Sequence, residues 1–145
     1  DRRNDHLLQL FIGELEFDDA GTIIGLKRTF QLTDDDHVNW APFWHPDARR
    51  LVFATSREGH HNYEVFEIDA APGDAQSPTR YGTTSRRITD AGGFDGLPAF
   101  SPDGAHMIWT GQRGDDESSQ LFIAPFKDAP PRDNTADTPP QAHDH

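Results

Sequence analysis

The chain has 145 residues and carries 13 Lys and Arg against 25 Asp and Glu, a net charge of 13 − 25 = −12 with histidines neutral. This length allows one domain at most, and the negative excess repels phosphates, which argues against nucleic acid and anionic membrane surfaces as partners. The 34% hydrophobic content with 12 Gly and 11 Pro favours turn-rich β structure. The absence of cysteine excludes disulfides, thiolate zinc sites and a cysteine nucleophile.

No segment is suited to cross a membrane or to direct export. The longest apolar runs, such as Leu51 to Ala54, contain only a few residues, far short of the roughly 20 that span a bilayer. The chain begins at Asp1 without a basic region followed by an apolar one, so a secretory signal would lie upstream or have been removed. We expect no membrane insertion, and the start of the sequence resembles a cut end.

The sequence repeats at a spacing of 56 residues: residues 31–68 overlay residues 87–124 without a gap. The identical pairs are Thr33 and Thr89, Asp34 and Asp90, Pro42 and Pro98, Pro46 and Pro102, Asp47 and Asp103, Arg57 and Arg113, and Phe66 and Phe122. Residues 9–12 reappear as residues 120–123, so a third, partial copy opens the chain. A fixed period of this length indicates a fold built from repeated structural units.

Each copy contains short strands, named a, b, c and d in order, separated by turn residues. In chain order the predicted strands are residues 9–12 and 30–33, then 42–44, 51–55, 63–68 and 86–89, then 98–100, 107–111 and 120–124. These segments are rich in β-branched and aromatic residues. Residues 45–48 and 101–104 are predicted turns, because a proline followed by aspartate favours a turn. Four strands per period is the make-up of a β-propeller blade.

The predicted fold is therefore all-β, with antiparallel four-stranded blades of a β-propeller. Strands c-d, a-b-c-d and a-b-c make nine strands, or 9/4 = 2.25 blades. We expect a partial blade over residues 1–33, a full blade over residues 34–90 and a partial blade over residues 91–127. Because a ring needs about four to eight blades, the chain either belongs to a longer polypeptide or completes a ring of roughly six blades as a homotrimer.

Two segments outside the predicted strands are polar. Residues 70–85, rich in Pro and Gly, are a predicted insertion between strands c and d, and the loop from Asp18 to Gly21 is its shorter equivalent. Residues 128–145 contain four prolines among acidic and small residues, without apolar periodicity. We predict a disordered tail there.

The segments 40–47 and 94–104, each followed by an apolar strand and Arg57 or Arg113, share the pattern Pro-x-aromatic-Ser/His-Pro-Asp. This pattern resembles the repeat of the TolB-like β-propeller family, and the resemblance covers residues 9–126. It implies a six-bladed propeller as the closed form, a periplasmic or cell-envelope location, and binding of other proteins, as in the Tol-Pal envelope system. Similar repeats also occur as accessory domains of serine peptidases and zinc aminopeptidases.

The chain departs from the family's pattern in three ways. It holds about two of six blades, it has Ala48 where the turn glycine is expected, and no amino-terminal domain of TolB type is visible. The resemblance supports two hypotheses. The first is a non-catalytic module for protein binding or scaffolding in the cell envelope. The second is an accessory propeller domain of a periplasmic or secreted hydrolase, whose catalytic domain lies outside this chain.

The loop between strand d of one blade and strand a of the next concentrates polar side chains at residues 34–37 and at Asn39. In propellers this loop approaches the central channel, so we predict Asp36, His37 and Asn39 as binding residues. Carboxylates are ligands of divalent cations, and Asp34, Asp36 and His37 are the candidates for a metal site. The spacing does not match an EF-hand, so we favour a solvated acidic loop without a metal. We predict no cofactor.

Trp40, Phe94 and Asp95 complete the predicted binding residues. Trp40 and Phe94 precede strand a and have no partner enforced by the repeat, which suits a contact surface. The aromatic residues that keep strand phase in both copies are instead predicted to be core between blades. They are Trp44, Phe53, Phe66, Phe100, Trp109 and Phe122.

A further set of repeated residues is predicted to be structural. The aspartates would cap turn amides, and the arginines would pair with a carboxylate of a neighbouring blade. The set comprises Pro42, Asp47 and Arg57 with their copies Pro98, Asp103 and Arg113.

No pattern in the chain predicts an active site. His45 and the pair His60-His61 lack a helical His-Glu-x-x-His partner, and the serines lie in predicted loops and turns without a Gly-x-Ser-x-Gly elbow. Gly92-Gly93 leads into β structure rather than into a helix N-terminus. We therefore predict that the chain is not an enzyme and that its partner is another protein or copies of itself.

Overall fold

The computed structural model describes residues 7–70, 85–116 and 118–128, which form nine β-strands and no helix. Sheet 1 contains β1 (Phe11–Phe17) and β2 (Ile23–Gln31). Sheet 2 contains β3 (Asn39–Trp44), β4 (Arg50–Thr55), β5 (Glu64–Asp69) and β6 (Ser85–Arg87). Sheet 3 contains β7 (Asp95–Phe100), β8 (His106–Gln112) and β9 (Ser119–Pro125). None of the described residues belongs to a helix long and apolar enough to cross a membrane.

Within each sheet every strand pairs antiparallel with its neighbour in sequence, so the order of strands follows the chain. The predicted all-β class with antiparallel sheets is thereby confirmed, and the order of sheet 2 is that of a four-stranded blade. The boundaries proposed for the blades and the closure of a ring stay predictions. Most of the predicted insertion (residues 71–84) and of the predicted tail (residues 129–145) lies outside the described residues.

Two apolar clusters join the three sheets. The first lies between sheets 1 and 2 and contains Leu10, Leu32, Leu51, Phe53, Phe66, Ile68 and Ala70, with Ile12 packed against it. The second lies between sheets 2 and 3 and contains Val52, Val65, Phe100, Met107 and Trp109, with Ile88, Phe122, Ala124 and Phe126 packed against it. Strand β4 is buried on both faces because it lies between the two clusters, which explains its continuous apolar run.

The 56-residue period is visible in the backbone. Strands β3 and β7 carry an irregularity at matching places, between Trp40 and Phe43 and between Gly96 and Ala99. Inside these bulges Ala41 has φ 50° and Leu97 has φ 53°. The turns after the two strands also match, with φ 56° at Ala48 and 71° at Gly104. The turn therefore keeps its left-handed residue even where alanine replaces glycine, at a cost in backbone strain.

Several strand limits differ from those predicted. Strand β1 spans Phe11–Phe17 rather than residues 9–12. Strand β2 runs from Ile23 to Gln31 rather than over residues 30–33, because it pairs along its length with β1 in a hairpin. Strand β3 begins at Asn39, and β7 begins at Asp95. Asn39, Trp40 and Asp95 therefore lie in strands, not in the loops to which the sequence pattern assigned them.

Trp44 is the predicted core aromatic that the structure leaves most open, at 43% exposure. Its repeat equivalent Phe100 is 9% exposed, because it contacts Phe43 of strand β3 and the imidazole of His45, with ring centroids 6.4 and 4.7 Å away. Sheet 1 has no strand equivalent to β3. Trp44 therefore lacks, within the described residues, the neighbour that covers Phe100.

Candidate functional site

The acidic loop between β2 and β3 surrounds a cavity of about 450 Å³ lined by Leu7, Gln9, Asp34, Asp35, Asp36 and His37. The structure thus brings the three metal candidates of the sequence pattern to one cavity. Asp34 and Asp36 are exposed and His37 is half-buried. Within the described residues no group of three or more His, Asp or Glu side chains has the geometry to hold a metal ion.

Asp35, between the two exposed aspartates, has a structural role. Its carboxylate accepts hydrogen bonds from Asn39 Nδ2 at 2.7 Å and from Arg57 Nε at 3.0 Å. Gln9 Nε2 donates to the backbone carbonyl of Asp35 at 2.8 Å, which ties the start of sheet 1 to the loop. Arg57 and Asp35 form an ion pair, and Asp35 lies within the same predicted blade, residues 34–90, rather than in a neighbouring one. The loop is therefore held to sheet 2 by its middle carboxylate.

Burial would raise the pKa of the Asp35 carboxyl, but the hydrogen bonds from Asn39 and Arg57 and the charge of Arg57 outweigh it and hold that pKa below its ordinary value. The group therefore stays ionised in the folded chain over the neutral range. A carboxylate already occupied by these two donors is a poor ligand for an added cation, which leaves only Asp34 and Asp36 free to contribute carboxylate oxygens to the cavity.

Asn39 and Asp95 are equivalent in the repeat, and both are buried to 1% exposure. Asn39 Oδ1 accepts a hydrogen bond from Thr55 Oγ1 at 2.7 Å. Asp95 accepts from Trp109 Nε1 at 3.1 Å and from Arg113 Nη2 at 2.7 Å. Their side chains bind neighbouring residues, so neither is placed to contact an external partner, and both act in holding strand a to strand b.

Trp40 and Phe94 lie together, with ring centroids 6.4 Å apart, and Tyr63 stands 5.9 Å from Phe94. Gly96 permits this arrangement, since a Cβ there would lie 2.6 Å from Phe94 Cζ. The aromatic group borders a cavity of about 310 Å³ lined by His60, His61, Tyr63, Gly93, Phe94 and Gln112. The sequence pattern identified Trp40 and Phe94 but missed Tyr63 and Gln112, because those two fall inside or beside regular strands.

The indole nitrogen of Trp40 is buried and has no hydrogen-bond partner among the described residues. An unpaired buried donor is costly, and its position in the aromatic group makes this end of sheets 2 and 3 a second candidate for ligand contact. The surroundings are aromatic and imidazole side chains, which suit an aromatic or apolar peptide side chain better than a small anion.

Of the repeated residues predicted to be structural, the aspartates have the predicted contacts and Arg113 does not. Asp47 Oδ1 accepts from the Arg49 N–H at 2.8 Å, and Asp103 Oδ1 accepts from the Ala105 N–H at 3.0 Å, so both aspartates cap their turns. Arg113 pairs with Asp95 of its own sheet rather than with a neighbouring blade. The two prolines differ, since Pro42 is exposed and Pro98 is buried.

Most of the exposed large apolar side chains of the described residues lie at the two ends of the stack of sheets. We call the face of sheet 1 that points away from sheet 2 the outer face of sheet 1. It carries Phe11, Leu15, Phe17, Ile23 and Leu26, each 46% to 59% exposed. The outer face of sheet 3 carries Ile108, Leu121 and Ile123, which are 37%, 74% and 70% exposed.

Sequence reasoning did not identify these two faces, although the repeat contains the signal for them. By the 56-residue displacement, Ile108 and Leu121 occupy the positions of Val52 and Val65, both of which are fully buried between sheets 2 and 3. When an apolar position is covered by the following sheet in one copy and no sheet follows the other copy among the described residues, that position is expected to be exposed.

Comparison with known proteins finds solved structures that are similar to this chain. No protein-family model matches the chain. The crystal structure of TolB from Acinetobacter baumannii is similar with a TM-score of 0.49 and 24% sequence identity, over 81% of this chain and 24% of that one. The chain thus spans about a quarter of the length of the TolB chain it matches.

Proposed function

We propose that this chain is a non-catalytic module of β-propeller type that binds other polypeptides through the open ends of its stack of sheets. The observation that carries the proposal is the outer face of sheet 3, where Ile108 and Leu121 are exposed at positions that are buried in sheet 2. Contiguous exposed apolar side chains of this kind mark protein interaction surfaces. A scaffolding role in the periplasm or cell envelope belongs to the same proposal and is supported by the TolB-like repeat pattern.

The repeat also supports a fit between the two outer faces. Phe11 is the equivalent of Phe122 and hence of Phe66, and Phe66 lies on the face of sheet 2 that packs against sheet 1. The outer face of sheet 3 is the equivalent of the face of sheet 2 that packs against sheet 3. Each outer face is therefore of the kind that a neighbouring sheet covers elsewhere in the chain, and another copy can supply such a sheet.

Head-to-tail contacts close into a ring if the rotation between copies allows it. Each copy has three sheets, and three copies supply 3 × 9 = 27 strands. These strands are enough for roughly six four-stranded blades where sheet 1 of one copy shares a blade with sheet 3 of its neighbour. We therefore propose a homotrimer as the self-assembled form of this chain. Its net charge of −12 per copy opposes assembly at low ionic strength.

The experiment is the solution mass of the 145-residue chain by light scattering after size exclusion, at low and high salt. The expected mass is three times 16.3 kDa, with the trimer favoured at high salt. Leu121→Asp is expected to abolish assembly, while Ala105→Asp, which adds the same charge in an exposed turn of sheet 3, is expected to leave it intact. A mass of one chain at every concentration and salt would contradict closure by copies.

A further inference from the structure

Strand c occurs three times in the chain, as β1, β5 and β9, and two of the three copies show what covers its free edge. The covering segment is an apolar residue followed by Thr-Asp, namely Leu32-Thr33-Asp34 and Ile88-Thr89-Asp90. The N–H of Leu32 donates to the carbonyl of Leu10, and the N–H of Ile88 donates to the carbonyl of Val65, both at 2.8 Å.

The threonine hydroxyls complete each contact. Thr33 Oγ1 accepts from the N–H of Leu10, and Thr89 Oγ1 accepts from the N–H of Val65, again both at 2.8 Å. The same pair of bonds therefore fixes the end of strand d to strand c in both copies. The contact requires a residue that donates its N–H to strand c, followed by a residue whose side-chain oxygen accepts from an N–H of strand c. This requirement is specific, because most side chains have no acceptor at that position.

In sheet 3 the equivalent residue is Leu121, and β9 is the last strand of that sheet among the described residues. Leu121 pairs with Thr110 in the register in which Val65 pairs with Ala54. Its N–H and carbonyl therefore point away from β8, as those of Val65 do, towards an open edge. Residues 129–145 contain no Leu, Ile or Val, so that part of the sequence holds no further copy of the Leu/Ile-Thr-Asp pattern.

The apolar side chain of such a segment would pack on the outer face of sheet 3. Ile88 packs against the cluster that contains Val52 and Val65, whose equivalents on the outer face of sheet 3 are Ile108 and Leu121. A leucine or isoleucine added beside β9 would cover Leu121, the most exposed large apolar side chain of the described residues at 74%.

The residue before the apolar one is long and polar in both copies. Gln31 Nε2 donates to the carbonyl of Thr33 at 2.8 Å, and Arg87 Nε donates to the carbonyl of Thr89 at 2.7 Å. Arg87 also pairs with the buried carboxylate of Glu64, with 2.7 Å between Nη2 and Oε1. At the position of Glu64 sheet 3 has the neutral Gln120, so a cationic residue has no carboxylate partner there.

We propose that the edge of β9 binds an extended segment of a partner polypeptide with the sequence Gln-(Leu/Ile)-Thr-Asp, by adding it as the fourth strand of sheet 3. Strand addition of this kind takes its affinity from main-chain hydrogen bonds and its specificity from alternate side chains. The inference rests on the proposed protein-binding function and states which peptide chemistry one of its surfaces recognises.

The test uses the full 145-residue chain, labelled with ¹⁵N, and a synthetic peptide with the sequence of residues 29–34. The expected result is a shift of the Leu121 amide resonance and at least about tenfold slower hydrogen exchange of that amide when the peptide is bound. A matched peptide with Thr33→Val, which keeps the shape and removes the acceptor, is expected to bind about tenfold more weakly. A peptide with Leu32→Asp is expected not to bind.

A charge exchange in the chain tests the specificity. Gln120→Glu is expected to raise the affinity for a peptide with the sequence of residues 85–90, which carries Arg before Ile-Thr-Asp, about fivefold relative to the Gln peptide. Equal binding of the threonine and valine peptides, or an unchanged Leu121 amide at saturating peptide, would overturn the assignment.

The failure of this inference and that of the proposed self-assembly give different results. A chain that remains a monomer by light scattering and binds the peptide at Leu121 supports the edge and contradicts the trimer. In a chain that light scattering shows to be a monomer, slow exchange of the Leu121 amide before any peptide is added would overturn the assignment, because both Leu/Ile-Thr-Asp segments are already bound elsewhere in that chain.

Discussion

Sheets 2 and 3 are built from copies of one sequence unit, but only sheet 2 lies between two neighbours. Val52 and Val65 are fully buried, while their equivalents Ile108 and Leu121 are 37% and 74% exposed. The apolar side chains are conserved in character and differ only in what stands beside them. In a repeated fold, the exposed member of such a pair shows where the next structural unit or a partner binds, which no single copy could reveal.

The largest effect is expected from the core of sheet 2. Phe53→Ala removes a fully buried ring and should lower the free energy of unfolding by about 3–5 kcal/mol. Leu121→Ala, on the outer face of sheet 3, should change it by less than about 0.5 kcal/mol in the monomer. Urea unfolding followed by tryptophan fluorescence measures both. Similar losses for the two variants would mean that sheet 3 is covered in solution.

The buried polar positions of the two sheets offer a second contrast. Asp95→Ala leaves Arg113 and the Trp109 indole without their acceptor and should cost about 3 kcal/mol. Asn39→Ala, at the equivalent position of sheet 2, removes neutral hydrogen bonds and should cost about 1–2 kcal/mol. Thermal unfolding of the two variants, with Asp95→Asn as the isosteric control, measures the difference. A greater loss for Asn39→Ala would reverse the order that the two networks imply.

The matching turns test how far the two copies share backbone strain. Gly104 has a left-handed φ and a Cβ there would lie 2.7 Å from His45 Nε2, so Gly104→Ala should cost about 1–2 kcal/mol. Ala48 already occupies the same conformation, and Ala48→Gly should raise stability by up to about 0.5 kcal/mol, because relief of strain is partly offset by the flexibility of unfolded glycine. Melting temperatures of both variants report the signs, and a stabilising Gly104→Ala would contradict the shared turn.

The smallest effect concerns pH and the acidic loop of sheet 2. The pKa of Asp35 is lowered on folding. The stability that its ionised form contributes is therefore fully present above its unfolded pKa of about 3.9. That stability is lost as the pH falls through the lower pKa of the folded chain. The difference in unfolding free energy between the native chain and Asp35→Asn, about 1 kcal/mol at pH 7, should therefore shrink below about pH 4. Urea titrations from pH 7 to pH 3 measure it. A difference that grows on acidification would show the opposite pKa shift.

Much of the architecture could be predicted from the period alone, because identities at constant spacing reveal equivalent strands without any knowledge of their contacts. The limits of the strands were harder to predict from the sequence. The bulge in strand a adds one residue, so the alternation of side chains gave no sign that the strand begins as early as Asn39 or Asp95. Trp44 was wrongly assigned to the core, because its exposure depends on a strand that sheet 1 does not contain among the described residues.

The candidate site was only partly predictable. The acidic loop and the pair Trp40 and Phe94 stand out in the sequence, because the repeat does not account for them. The role of Asp35 as the bound carboxylate among three aspartates depends on the position of Arg57 in space, and sequence distance does not give that position. The open faces depend on the absence of neighbouring sheets, a property of the assembled stack rather than of any residue.

The bulges in β3 and β7 show that the repeat extends to an unfavourable backbone conformation. Ala41 and Leu97 have nearly the same left-handed φ, and neither is glycine, although such a conformation is unfavourable for both residue types. The two copies keep the irregularity at the same point of the strand although alanine and leucine differ in size. The bulge is therefore a property of the repeated unit, and any further unit with the same pattern is expected to carry it at the same place.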